Sequence, residues 1–252
     1  MKTLRKLLLL GALVAAQGAL AQNIQLHYDL GHSLWPDDLS ERPSVTTTAE
    51  MFRPDRLGST FFFIDLDYYT NGVAGAYWEI SREFNFLTLS ENDGLAAHVE
   101  YNGGVGTSKD LLRDTRYQQA LLLGPAYNWH SSDFRKTFSL QALYKYFFRG
   151  EHAYQRAFSS VQFTAVWGIS FAHGACDFSG YCDVWYDRTV NGNWIVQSEP
   201  QLWYNLNTLP GLSGFNLSLG GEVEISNNFV FTDLGRNNRL FFIPTLGMKY
   251  TF

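Results

Sequence analysis

Carboxylates, amides and hydroxyls recur at every second position along several stretches of this chain, the spacing that gathers chemical groups on one face of an extended strand. Asp65 and Asp67 follow Phe61 and Phe63 in this way, and Glu79, Ser81 and Glu83 follow Tyr77. His98, Glu100 and Asn102 alternate, as do Gln197, Glu199, Gln201 and Trp203, while Gln141 shares parity with Lys145 and Glu222 with Glu224. Carboxylates and amides hydrogen-bond hydroxyl and amine groups, aromatic rings offer flat apolar surfaces, and a surplus of carboxylate over lysine disfavours anions. The binding set read from this parity is Asp65, Glu79, Glu83, His98, Glu100, Gln141, Lys145, Gln197, Glu199, Trp203, Glu222 and Glu224. The competing reading is that these groups pair with one another and fill a closed interior.

Other groupings carry less. A Ser nucleophile with a His base is available in Ser132 and His130, with Asn128 or Asp133 to orient the base, the set a barrel-borne lipid hydrolase would use. His130 and Ser132 fall in a predicted turn, and the Asn-Gly that follows the nucleophile in that enzyme class is absent, so no catalytic residues and no enzyme are expected. His27, His32, His98, His152 and His173 are scattered without ligand spacing, so no metal is expected. Asn102-Gly103-Gly104-Val105-Gly106 lacks the Lys and the following helix of a phosphate loop, and no cofactor is expected. Cys176 and Cys182 flank a short segment in an exported chain, which predicts a structural disulfide closing a small loop.

The elements that must position these groups begin after a leader. Lys2, Arg5 and Lys6 precede an apolar run from Leu7 to Ala16 and the small-residue triplet Ala19-Leu20-Ala21, which predicts a secretory signal peptide over 1–21 and a single domain over 22–252. Losing those three cations leaves 16 Lys and Arg against 24 Asp and Glu, a mature charge of roughly −8 that disfavours nucleic acid. Alternation then predicts strands at 24–31, 45–52, 58–67, 73–85, 95–103, 117–129, 138–148, 160–171, 181–188, 193–205, 215–227 and 240–252. Many have the length a tilted strand needs to cross a bilayer, and aromatic residues form 16% of the chain, enough for a lipid face with two interfacial girdles. The fold class expected is therefore all-β: a transmembrane antiparallel barrel of about twelve strands in a bacterial outer membrane. With both termini in the periplasm, the long connections at 32–44, 104–116, 149–159 and 228–239 fall outside, beside tight turns at Asn71-Gly72 and Asn191-Gly192, while the inner connections stay below about ten residues.

In the last strand Leu240, Phe242, Leu246, Met248, Tyr250 and Phe252 share a face, and the terminal Phe252 resembles the signal by which the barrel-assembly machinery recognises its clients. Larger similarities join it: Glu50-Met51-Phe52-Arg53-Pro54-Asp55 leading into Thr60-Phe61-Phe62-Phe63-Ile64-Asp65, then Gly75-Ala76-Tyr77-Trp78-Glu79-Ile80, Ala142-Leu143-Tyr144-Lys145-Tyr146 and Gly247-Met248-Lys249-Tyr250-Thr251-Phe252. In these the chain resembles the Tsx-like nucleoside-specific outer-membrane channels and their Bacteroidetes relatives. That resemblance implies a monomeric twelve-stranded barrel whose partners are lipid and small polar solutes, and which passes nucleosides by diffusion. The alternatives are a structural or adhesive barrel without conductance and, further off, the lipid hydrolase.

Overall fold

Strands whose two faces differ in polarity are satisfied when one face meets an apolar medium and the other a polar interior. The computed structural model describes residues 21–107, 114–150, 155–188, 193–230 and 238–252, and it arranges them as one antiparallel sheet. Its strands are β1 (Ala21–Asp29), β2 (Val45–Asp55), β3 (Gly58–Tyr69), β4 (Gly72–Thr88), β5 (Asp93–Thr107), β6 (Asp114–Arg116) and β7 (Ala120–His130). There follow β8 (Lys136–Phe147), β9 (Phe158–Phe171), β10 (Cys176–Asp187), β11 (Asn193–Ser198), β12 (Gln201–Asn205), β13 (Leu217–Asn227) and β14 (Leu240–Thr251). β11 and β12 are one strand in two pieces. Ser198 and Gln201 keep a common register against Cys182 and Ser179 on one side and against Ile225 and Glu222 on the other, and Pro200, which has no N–H to give, interrupts the ladder between them. β6 adds only a short rung at the end of β5.

Twelve strands therefore form the wall, and it closes: β1 pairs with β14 from Asn23 opposite Thr251 to Asp29 opposite Thr245. Closure leaves no strand edge unpaired, which a sheet in lipid requires. Among the described residues no helix is long and apolar enough to cross a membrane. Ile24, Leu26, Ile80, Leu140, Phe163, Leu202, Leu219, Phe242, Leu246 and Met248 are exposed on the outer wall. Trp129, Phe138, Phe171, Tyr204 and Tyr250 girdle the end that carries both termini, and Tyr28, Tyr186 and Trp194 girdle the other. Only lipid satisfies such a belt, so the barrel resides in the outer membrane. Arg82, on the outer face by its place in β4, lies near the termini end and is held by Asp55, whose two oxygens accept from it at 2.7 and 2.8 Å.

Strand count and parity agree with the sequence reading, several strands run longer than expected, β5 over Asp93–Thr107 above all, and one expectation is corrected. Cys176 and Cys182 are free, and both lie on β10, facing lipid. Six residues of extended chain separate their Cα atoms by about 20 Å, whereas a disulfide requires less than roughly 7 Å. The segment 177–181, read as a closed loop, is instead the first half of a strand begun by the tight turn Ala172–Gly174, where Ala172 and His173 take positive φ. Unfolded protein prepared without reductant is expected to take up two maleimides per chain and to show no change in gel mobility on reduction; uptake of none would restore the bridge.

The connections at the termini end are short, except that Leu206–Asn216 runs past ten residues. At the other end Thr70 and Asn71 form the tight turn into Gly72, at φ 153°. Residues 1–20 of the leader expected over 1–21, the expected turn at Asn191-Gly192 and parts of three of the long connections expected outside lie outside the described residues.

Candidate solute-binding lumen

The inward faces carry the polar residues that alternation singled out, and strand pairing decides which of them meet. Glu83 and Glu100 grip His98 from both sides, at 3.2 Å from its Nδ1 and 3.0 Å from its Nε2. Asn128 donates to the other oxygen of Glu83 at 2.7 Å, and Gln141 reaches the first at 3.5 Å. On β4 the Tyr77 hydroxyl donates to Glu79 at 2.6 Å. Across the lumen Lys145 donates to Gln162 at 2.7 Å, Gln162 to Thr164 at 3.0 Å, and Thr164 to Asp183 at 2.5 Å. Gln197 donates to Glu199 on its own strand at 3.0 Å.

A second network lines β12, β13, β14 and β1. The Trp203 indole N–H donates to Gln201 Oε1, and Gln201 Nε2 donates to Glu222, both at 3.0 Å. His27 stands edge-on to Trp203 at 5.6 Å and contacts Thr245 and Gln25, each at 2.9 Å. Lys249 Nζ sits 4.7 Å above the Trp203 ring. Asp65 and Asp67 accept from Thr48 and Thr46 at 2.5 and 2.6 Å across β2 and β3.

All twelve residues read from parity therefore point inward, but they divide in accessibility. Asp65, Glu79, Glu83, Glu100, Gln141, Gln197, Glu199 and Glu222 are half-buried, so a small molecule inside the barrel can touch them. Trp203 is 0% exposed, and His98, Lys145 and Glu224 are buried too, so these four hold the wall and do not meet a solute directly. Asp183 and Tyr181 were missed, although they alternate with Trp185 and Asp187 in a strand whose second half, 181–188, was expected.

Sequence reasoning also missed two features at the end away from the termini. Ala120, Leu122, Leu143, Phe147, Phe158, Trp185 and Ile195 point inward and form an apolar cluster that fills one side of that mouth. On the opposite side the connection between β1 and β2 folds inward. Leu39 joins Phe241 and Ile243 in a second buried cluster, Trp35 stands edge-on to Phe241 at 5.3 Å, and Asp38 pairs with Arg239. Arg42, from the same connection, reaches Asp29 at 2.7 Å and Glu224 at 2.6 Å. Burial opposes its charge, but Glu224 and Asp29 outweigh that and hold its pKa above the ordinary arginine value. Between the two clusters lies a cavity of about 230 Å³ lined by Asp29, Arg42, Thr46, Asp67, Tyr69 and Tyr117.

The candidate relay is not assembled. His130 Nδ1 lies 3.0 Å from the Ser131 carbonyl and its ring stacks on Phe134 at 3.9 Å, while Asp133 accepts from Ser131 at 2.6 Å.

Comparison with known proteins agrees on the architecture. The NanC porin superposes with a TM-score of 0.56 at 10% sequence identity, covering 92% of this chain and 100% of that one. The KdgM porin gives 0.48 at 9% over 92% and 99%, and LpxR from Salmonella typhimurium 0.46 at 8% over 92% and 100%. No curated protein sequence matches the chain. Residues 21–252 match the family described as "Domain of unknown function (DUF5020)". Because that match spans the whole barrel, the chain belongs to the DUF5020 family, whose fold here is that of a twelve-stranded outer-membrane barrel.

Proposed function

We propose that the barrel is a passive, non-enzymatic channel for small polar solutes that are neutral or cationic, with nucleosides foremost. The observation that carries this reading is the half-buried inner face on which Glu79, Glu100, Glu199 and Glu222 alternate with amides and tyrosines. Carboxylates and amides suit ribose hydroxyls and exocyclic amines, and the Tyr77 ring suits the flat face of a base. Binding of this kind is weak enough to release, which conduction needs. The similarity to a porin fold and the resemblance to nucleoside channels support the same reading. In it, residues 1–21 direct export, Phe252 addresses the barrel-assembly machinery, and the barrel works as a monomer. The inward apolar cluster around Leu122 favours a second reading, a closed structural or adhesive barrel.

Planar-bilayer recording separates the two. The refolded mature chain is expected to give single-channel steps, blocked in a concentration-dependent way by nucleosides added to one side and less by free bases or sugars. Glu79→Ala is expected to weaken that block. Conductance without solute discrimination would reduce the reading to a general porin, and a barrel that inserts but never conducts would leave the structural reading in its place.

A further inference from the structure

The cavity beside Arg42 has Asp29 in its lining, and Glu224 adjoins it through Arg42. Asp29 and Glu224 are both buried, and each gives one oxygen to Arg42. Their other oxygens are already engaged, Asp29 Oδ1 by the Gly31 N–H and Glu224 Oε1 by the Ser226 hydroxyl at 3.0 Å. Asp29 Oδ2 and Glu224 Oε2 are thus left aimed at a single guanidinium. Beside them the cavity continues, with Asp67, Thr46 and the rings of Tyr69 and Tyr117 as further wall, and among the described residues Arg42 supplies the only cationic side chain of that lining. Tyr117 stands edge-on to Tyr77 at 5.9 Å, so an aromatic surface leads from the cavity toward Glu79.

Arg42 belongs to a connection and not to the wall, and it enters the lumen from the mouth. Its guanidinium occupies a position that a free cation of the same shape would find complementary, next to space for the rest of that molecule. We propose that this cavity is a binding site for small solutes bearing a guanidinium or ammonium group, with Arg42 as the tethered competitor that such a solute displaces. The inference goes beyond the channel reading, because it names a site at the mouth and a charged ligand class, and it does not depend on conductance.

Agmatine, which carries both groups, is a suitable probe, with adenosine as neutral and glutamate as anionic comparison. Calorimetric titration of the refolded, detergent-held barrel is expected to show weak agmatine binding to the unaltered chain. Arg42→Gln, which keeps the side chain's bulk but removes its charge, is expected to bind agmatine about tenfold more tightly or better, since two buried carboxylates then lack a counter-charge. Adding Glu224→Gln to that variant is expected to abolish the gain. Equal agmatine affinity in the unaltered chain and Arg42→Gln, or a gain that survives Glu224→Gln, would overturn the proposal. If Arg42→Gln does not refold, the unaltered chain decides: agmatine heat that Glu224→Gln leaves unchanged, or no heat at all, refutes the site. Bilayer recordings on the same preparations keep the two readings apart, because binding without conductance removes the channel and leaves the site standing.

Discussion

Trp203→Ala is expected to cost the barrel about 3–5 kcal/mol of stability, the range for emptying the space of a fully covered aromatic side chain. The ring is 0% exposed. Gly220 is its register partner on β13, and a Cβ added at Gly247 on β14 would come within 3.2 Å of the Trp203 ring. An aromatic laid across glycines on neighbouring strands fills the room that the missing side chains leave. Lys249 rests on its face, His27 on its edge, and its N–H begins the chain through Gln201 to Glu222. Alanine would therefore leave a void and two poorly seated basic groups. Trp203→Phe keeps the ring and gives up one hydrogen bond, an expected loss of about 0.5–1.5 kcal/mol. Urea titration of the lipid-reconstituted barrel, read by the heat-dependent shift in gel mobility, measures both. A loss below about 1 kcal/mol for alanine would mean that the ring does not support the wall. Because Trp203 is covered, Trp203→Phe is also expected to leave solute block unchanged.

The parts of this interior that were legible from the chain share one physical feature, a strict period of two with opposite polarities on the two faces. Tyr77 and Glu79, His98 and Glu100, Gln197 and Glu199, and Gln201 and Trp203 are each two residues apart and each in direct contact, because alternate side chains of one strand stand side by side. Where both faces are apolar, parity gives no sign. In Ala120-Leu121-Leu122-Leu123 every residue is apolar, yet Leu122 is 0% exposed inside while Leu123 is exposed outside, so the apolar cluster at the mouth has no signature in the pattern. Arg42 was illegible for another reason. It lies in an aperiodic connection, and its place is fixed by Asp29 and Glu224, partners 13 and 182 positions away. The cysteine pair misled because spacing along a sequence says nothing of extension, and six residues of strand put the two thiols too far apart to join.

That same wall has an electrical consequence. Its lysines do not answer its carboxylates: Lys145 lies 4.4 Å over the Trp185 ring and Lys249 4.7 Å over that of Trp203, and among the described residues neither forms an ion pair within 4 Å. Glu79 leans instead on Tyr77, Asp183 on Thr164 and Glu222 on Gln201, partners that contribute hydrogen bonds without cancelling charge, while Glu83 and Glu100 share His98. A conducting lumen of this kind is expected to prefer potassium over chloride. Replacing Glu79, Glu100, Glu199 and Glu222 together with glutamine keeps the hydrogen-bonding shape and removes four ionisable carboxyl groups, so the potassium-to-chloride permeability ratio is expected to fall several-fold. The preference should also depend on salt. The field reaches about 10 Å at 0.1 M and only about 3 Å at 1 M ionic strength, so selectivity measured as a reversal potential is expected to weaken as both chambers are raised to molar salt. The fourfold variant should be nearly indifferent to that change. A reversal potential unaltered by the substitutions would show that the permeating ions never sense these four side chains, and would place the conducting path elsewhere in the molecule.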